Sequence, residues 1–462
     1  EKIAFEEENQ DSFCKGKQIV LLPTGAGKSL CFQIPALLLD GPTLVIYPLL
    51  ALMSDQKRRM DEGNLCSVIF KGGMTKNEQE ENFKKIKNKT NIILANPEIL
   101  QNEELLNRLA SCNIKHITID EAHCVSEWGD SFRPSYLNLG KVIKKINPPL
   151  VTAFTATASP EVLTRISSIL FDGEVHLVRS ESDRQNIHYF VRKTAAKSKE
   201  VAILSKTEVK PMIIFCGTRI KAEEIAEELN MIHGQNKVKF YHAVLSREEK
   251  SIVEKWFYDS DEGILCATCA YGMGVDKKNI RTVIHLEAPT TVEAYVQEAG
   301  RGGRDGNISK AILLWSLDDH INFSAFPDKS RKSLIKLFAE TNDCRRQIIL
   351  DALGGEKAVC SGCDLCFSKL NKNVKPDIVD WKLAFELIKK RKNFYTKSEI
   401  QNDLILEMNK NARNITHLNI WNHSDTAEII RQLESSGKIK ENTLFWKRRL
   451  MINNHRKDLC DI

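Results

Sequence analysis

"PTGAGKS", residues 23–29, is the stretch from which the rest of the chain can be read. It follows the strand-like "QIVLL" (18–22) and precedes the helix-like "LCFQIPALLL" (30–39). A strand, a glycine loop and a helix, in that order, are what a phosphate-binding loop requires. Gly25 and Gly27 let backbone N–H groups turn toward phosphate oxygens, Lys28 neutralises the β- and γ-phosphate charge, and the Ser29 hydroxyl can ligate Mg²⁺ at the helix N-terminus. The strict eight-residue pattern fails at its first glycine, where Leu22 stands, and a plain glycine turn is the alternative reading.

Two further motifs fit the same chemistry. "IDEAH" (119–123) ends another strand-like run, which puts its acids at the carboxyl edge of a sheet, where open α/β folds bind ligands. Asp120 is suited to hold Mg²⁺ through its water shell, and Glu121 to orient or deprotonate an attacking water. An acidic pair is common on surfaces, so its weight comes from the upstream loop. "QEAGRGGRDG" (297–306) supplies Arg301 and Arg304, three apart and on one face if the segment is helical. An arginine reaching the γ-phosphate from a second lobe makes hydrolysis depend on lobe closure. A solvated basic turn is the bland alternative.

The chain has 462 residues with 67 Lys and Arg against 61 Asp and Glu, a balance of +6. That length fits two or three domains, and the mild basic excess permits a nucleic-acid partner without requiring one. Thirteen cysteines, several of them (Cys31, Cys216, Cys266) inside apolar runs, and no signal peptide or membrane-length apolar span point to a reducing intracellular compartment, cytoplasm, nucleoid or nucleus, and to no membrane partner. The sequons at Asn88, Asn307, Asn414 and Asn422 then read as chance matches. The start on Glu1 suggests a truncated or processed N-terminus, and no further accessory domain is expected after residue 462.

Short β-branched runs alternate with helical stretches: "KQIVLLP", "TLVIYP", "NIILANP", "HITIDEAH" and "LVTAFTAT", then "MIIFC", "KFYH", "GILCAT", "TVIHLE" and "AILLW". Such alternation implies parallel α/β sheets with helices on both faces. The series restarts around the polar "RSESDRQN", read as the join between two lobes. Beyond residue 330 the pattern turns helical and basic.

With "TAFTATA" (152–158), "YHAVLSREEK" (241–250), "ATCAYGMGVDKKNIR" (267–281) and the aromatic-rich "CVSEWGDSFRPSY" (124–136) in order, the chain resembles the RecQ family of superfamily 2 helicases over nearly its whole length. The resemblance implies an ATP site at Thr24, Gly25, Ala26, Gly27, Lys28 and Ser29, with Mg²⁺ at Asp120. Catalytic roles fall on Lys28, Asp120, Glu121, His123, Gln297, Arg301 and Arg304, with His123 relaying between ATP and DNA states. Gly272 and Asp276 match a motif that contacts both. Trp128, Phe132 and Arg133 become the DNA-sensing candidates, since an exposed ring stacks on a splayed base for about 1–3 kcal/mol. Thr155 and Thr157 would couple hydrolysis to lobe motion.

The likeness has gaps. "EKIAFEEENQDSFCKG" does not contain the family's adenine-reading element, Val244 replaces the glycine usual after "YHA", and "ANPEIL" lacks the arginine of "APERL".

Cys344, Cys360, Cys363 and Cys366 give the spacing C-x15-C-x2-C-x2-C. Four thiolates so spaced can close a tetrahedron around Zn²⁺. A redox CxxC is the rival, disfavoured because a third spaced cysteine would be idle and no thioredoxin-like context surrounds it. The stretch resembles the RecQ zinc domain, with "CRRQIILDALGG" as a helix. Farther on, "VDWKLAFELIKK" sets Trp381, Ala384, Phe385 and Ile388 at helical spacing, "SDTAEIIRQLESSGKI" opens on a capping-box-like Asp425 and Glu428 pair, and "KIKENTLFWKRRL" reads as two strands around a tight turn, with Phe445 and Trp446 in the core.

The expected architecture is therefore α/β: two RecA-like parallel-sheet lobes (1–180 and 181–322), a small helical zinc-binding domain (323–372) and a winged-helix domain (373–462). The expected activity is ATP- and Mg²⁺-dependent 3′ to 5′ unwinding of DNA in recombination, repair or replication, with single-stranded and duplex DNA as partners. An RNA helicase, or an ATP-switched DNA-binding regulatory protein with zinc and winged-helix modules, stands as the alternative.

Overall fold

The computed structural model describes residues 16–23, 27–88, 90–127, 133–179, 183–234, 236–271, 277–328, 330–370, 379–443 and 447–452. The described residues up to Asp183, with Leu353–Glu356, form one compact unit; Arg184–Ala352 and the residues from Lys357 onward form a second.

The first unit is built on seven parallel strands: β1 (Lys17–Leu21), β2 (Thr43–Ile46), β3 (Ser67–Phe70), β4 (Ile92–Ala95), β5 (His116–Ile119), β6 (Leu150–Thr155) and β7 (His176–Arg179), in the order β3-β4-β2-β5-β6-β1-β7. Alternate residues of one strand serve two separate cores. Ile19, Leu21, Leu44 and Ile46 pack on one face, and Val20, Val45, Ile92 and Leu94 on the other. This is why "TLVI" and "IILA" are buried without interruption: helices cover both faces, so no position of a central strand meets water.

The second unit repeats the scheme with β8 (Ile187–Lys193), β9 (Met212–Phe215), β10 (Val238–Tyr241), β11 (Ile264–Ala267), β12 (Thr282–His285) and β13 (Ser309–Trp315), parallel in the order β10-β11-β9-β12-β13-β8. Met212, Ile214, Ile264 and Cys266 face one core, while Ile213, Phe215, Leu265 and Ala267 face the other. Both expected parallel sheets are present, each with a strand order that reverses at its centre.

Three helices, Asp380–Lys390, Lys397–Thr416 and His423–Ser435, follow, with an antiparallel pair of β14 (Ile439–Glu441) and β15 (Leu450–Ile452). Their core (Trp381, Ala384, Ile388, Leu404, Ile429, Leu433) takes in Ala195, Ala196 and Leu317 of the second unit's α/β part. Asp380 fixes this docking. Its buried carboxylate accepts the Thr194 hydroxyl at 2.6 Å and the N–H groups of Ala195 and Ala196 at 2.8 and 3.0 Å. It thus caps the helix Lys197–Thr207, whose own cap residue Ala196 carries no acceptor.

Two local expectations are corrected. The capping box of the helix His423–Ser435 is formed by Asn422 and Asp425, one turn before the expected pair, since Asn422 has the extended backbone a cap needs and Asp425 does not. The β14–β15 connection is not a tight turn: Glu441 pairs with Leu450, leaving 442–449 between the strands. Among the described residues, no helix is long and apolar enough to cross a membrane.

Candidate active site

β1 delivers the chain to the glycine loop, and Gly27, at φ +84°, turns it into the helix Lys28–Leu38. That left-handed geometry suits glycine. Lys28 and Ser29 thereby occupy the first helical turn, the end of a helix that suits an anion. Thr24, Gly25 and Ala26 lie outside the described residues.

Across the sheet, β5 ends at Ile119, and Asp120 donates its N–H to Ile46 O at 3.0 Å. Glu121 takes φ +48°, uncommon for a residue with a side chain, and its N–H bonds the Asp120 carboxylate at 3.0 Å. The turn brings Glu121 Oε1 to 3.2 Å from Lys28 Nζ. Burial, then the neighbouring Glu121 charge, pushes the Asp120 carboxyl up to about 6 against the opposing pull of Lys28. A dication would reverse that balance, and the buried carboxylate beside an anion-ready helix end suits Mg²⁺.

His123 Nδ1 is 3.4 Å from Glu121 Oε2 and 3.1 Å from the Thr155 hydroxyl, which itself donates to Thr157 O at 3.1 Å. β5 and β6 are neighbours, so "DEAH" and "TAT" meet at adjacent strand ends. Lys28, Glu121, His123, Thr155 and Thr157 form one continuous polar chain.

Trp128 and Phe132 lie outside the described residues. The Arg133 side chain is largely withdrawn from solvent and engaged within its own unit. It donates to Glu98 Oε1 at 2.7 Å and to Pro48 O, and it faces the Tyr136 ring at 5.7 Å. Glu98 belongs to "ANPEIL", where a single acid carries no signal in its spacing that would pair it with Arg133, 35 residues on.

In the second unit, Gln297 is in the helix Val292–Ala299, which ends before Arg301. Arg301 and Arg304 therefore occupy a turn and not one helical face, because Gly302 packs against Ser309 and Gly303, at φ +56°, breaks the helix. Glu298, which sequence reasoning also missed, reaches the buried His285 Nε2 at 3.0 Å, and Asp305 forms a two-pronged ion pair with Arg281. Gly272 and Asp276 lie outside the described residues.

The four predicted metal cysteines converge: the Sγ atoms of Cys344, Cys360, Cys363 and Cys366 all lie within 4.8 Å of one another. A tetrahedron of 2.3 Å Zn–S bonds has edges of about 3.8 Å, so the cluster fits zinc after small side-chain adjustment. Burial raises the Cys363 thiol, but the N–H groups of Cys366 and Arg345 outweigh it and hold the thiol below its ordinary value. The cysteine segment is joined to the edge strand β8. Tyr189 bridges Cys363, its N–H bonds Gly362 O at 3.2 Å, and the Asp364 carboxylate accepts Val191 N–H at 3.0 Å and Arg345 Nε at 2.6 Å.

Comparison with known proteins agrees with this geometry. The DEAD/DEAH box helicase family matches residues 9–166, and the helicase conserved C-terminal domain matches residues 194–306. The chain is 39% identical over 322 residues to a probable ATP-dependent DNA helicase RecS of Bacillus subtilis (strain 168), covering 67% of this chain and 64% of that protein. It is 34% identical over 361 residues to the ATP-dependent DNA helicase RecQ of the same organism, covering 75% and 61%. The chain thus spans about three fifths of the length of these relatives. Among solved structures it is similar in fold to the DUF1998 helicase MrfA bound to DNA, with a TM-score of 0.57 at 17% identity over 96% of this chain and 59% of that one. With two RecA-like lobes, the ordered motifs and these identities, the chain belongs to the RecQ-type helicases of superfamily 2.

Proposed function

We propose that this chain is the motor of an ATP-dependent DNA helicase that moves 3′ to 5′ along single-stranded DNA and opens the duplex ahead, inside the cell. The observation that carries the reading is the polar chain from Lys28 through Glu121 and His123 to Thr155 and Thr157. Lys28 exchanges Glu121 for the β- and γ-phosphates when nucleotide enters, and the released Glu121 orients the attacking water. Mg²⁺, held through Asp120 and Ser29, supplies charge neutralisation at the phosphates. His123 then reports the state of Glu121 to Thr155 at the neighbouring strand end.

Arg301 and Arg304 stabilise the charge that develops on the transferred phosphoryl group, with Gln297 beside them. Trp128 and Phe132 stack on bases. Arg133 is better suited, in its ion pair with Glu98, to anchor the aromatic loop than to touch phosphate. Residues 323–372 form a zinc module, in which Cys344, Cys360, Cys363 and Cys366 hold a structural Zn²⁺ with no open position for catalysis. Residues 373–462, among whose described residues are three helices and an antiparallel strand pair, act as a winged helix on duplex DNA.

The test is strand displacement on a duplex with a 3′ single-stranded tail. Wild-type protein is expected to open it with ATP and Mg²⁺, and Glu121→Gln to bind ATP without displacing the strand. Displacement by Glu121→Gln at the wild-type rate would overturn the reading.

A further inference from the structure

We propose that Arg184, assisted by Asn186, is a positioning residue that sets the loop carrying Arg301 and Arg304 in its working conformation. Both belong to "RSESDRQN", which the sequence presents only as a polar join. The inference rests on the proposed role of the two loop arginines in phosphoryl transfer.

The Arg184 guanidinium donates to the carbonyls of Gly300, Gly302 and Gly303, at 3.4, 3.1 and 2.8 Å. These peptides flank Arg301 and immediately precede Arg304. Asn186 adds a second grip: its Nδ2 donates to Gly303 O at 2.7 Å and Asn307 O at 2.8 Å, while its Oδ1 accepts from Arg184 Nε at 3.3 Å. One planar fork satisfying three carbonyls fixes the path of the turn, which its glycines alone would leave open. Close approach is built in, since a Cβ at Gly303 would collide with Asn186 Nδ2 and Asn307 O.

The clamp is itself held. Arg184 O accepts Ile187 N–H at 2.9 Å and Arg346 Nη1 at 3.2 Å, which ties it to the start of β8 and to the helix Arg345–Ala352. Other anchors hold the loop as well: Glu298 on His285 and Asp305 on Arg281 at its ends, and Ile280 O on the Gly303 N–H at 2.9 Å, while the clamp takes the carbonyl side of the same peptides. Arg184 is also near enough to Arg304 for the two charges to repel; Arg184 is lowered below its ordinary value first by burial, and Arg304 adds to it.

A lysine at 184 keeps the charge but its compact ammonium cannot span three carbonyls. Misplacing a catalytic group by about 1 Å costs on the order of a hundredfold in rate. We therefore expect Arg184→Lys to lower kcat for DNA-stimulated ATP hydrolysis by about ten- to a hundredfold, with ADP affinity and the KM for ATP within about twofold of wild type. In a double-mutant cycle, Arg184→Lys should add little to the loss caused by Arg304→Ala, because it acts through that loop. Full additivity, or wild-type kcat in Arg184→Lys while Arg304→Ala is inactive, would overturn the positioning role and leave the helicase reading intact. Wild-type turnover in both Arg301→Ala and Arg304→Ala would instead remove the reading on which the proposal stands. If a thermal melt shows Arg184→Lys misfolded, Asn186→Ala decides: a severalfold fall in kcat at unchanged ADP affinity supports the clamp, and unchanged kcat refutes it.

Discussion

Lys28 Nζ and Glu121 Oε1 lie 3.2 Å apart although 93 residues separate them in the chain, and both side chains are largely withdrawn from solvent. On the proposed reading this lysine is held for phosphate by the same carboxylate that later orients the attacking water. Lys28→Ala should therefore lower ATP turnover at least about a hundredfold. Binding of single-stranded DNA, measured by fluorescence anisotropy without nucleotide, should stay within a few fold of wild type. Normal phosphate release by the variant would rule out this lysine as the phosphate ligand.

Acid should weaken the first unit through His116. Burial pushes its imidazole down to about 4, and Nε2 is 2.9 Å from the Thr152 hydroxyl between β5 and β6. Because the folded value lies below the unfolded one near 6.5, the unfolded chain takes up the proton first. The contribution is complete above pH about 6.5 and is lost progressively as pH falls toward 4, by at most about 3 kcal/mol. His116→Gln lacks this titration. The difference in thermal midpoint between wild type and variant should shrink from pH 7.5 to pH 5, and a constant difference would contradict the assignment.

Replacing Cys363 with serine should release zinc and loosen more than the cysteine segment. A hydroxyl stays protonated at neutral pH and is a poor fourth ligand. Since Tyr189 bridges Cys363 and bonds Gly362, hydrogen exchange should quicken in β8 as well as around residues 360–366. Metal analysis of wild type should give one zinc per chain. Folded, active and metal-free protein prepared without chelator would refute the site.

Asp380→Ala should undock the C-terminal helices. The change leaves the Thr194 hydroxyl and the Ala195 and Ala196 N–H groups without their buried acceptor, at a cost of about 1–3 kcal/mol. Limited proteolysis should cut faster near residue 379 than in wild type, with the two parallel sheets retained by circular dichroism. An unchanged cleavage pattern would show that apolar packing alone holds the helices.

Much of this was written in the sequence because parallel strands buried on both faces make unbroken apolar runs, and the glycine loop and "IDEAH" are short motifs that strand ends expose directly. The runs hid less regular strands. β3, "SVIF", β7, "HLVR", and β8, "IHYFVRK", carry polar residues because they lie near or at sheet edges, and none was anticipated. The cysteine spacing pointed to the cluster but not to its attachment to β8. Local periodicity also could not reveal Asp380, which caps a helix 184 residues earlier in the chain, or Glu98 beneath Arg133. Such partners are fixed by topology and leave no trace in spacing.

The central claim is that nucleotide hydrolysis here is driven by DNA, and the steady-state rate of phosphate release measures it directly. Purified protein with saturating ATP and Mg²⁺ should turn over slowly alone, accelerate severalfold or more with single-stranded DNA, and respond weakly to RNA of the same sequence. Equal stimulation by RNA, or the same rate with and without DNA, would contradict it.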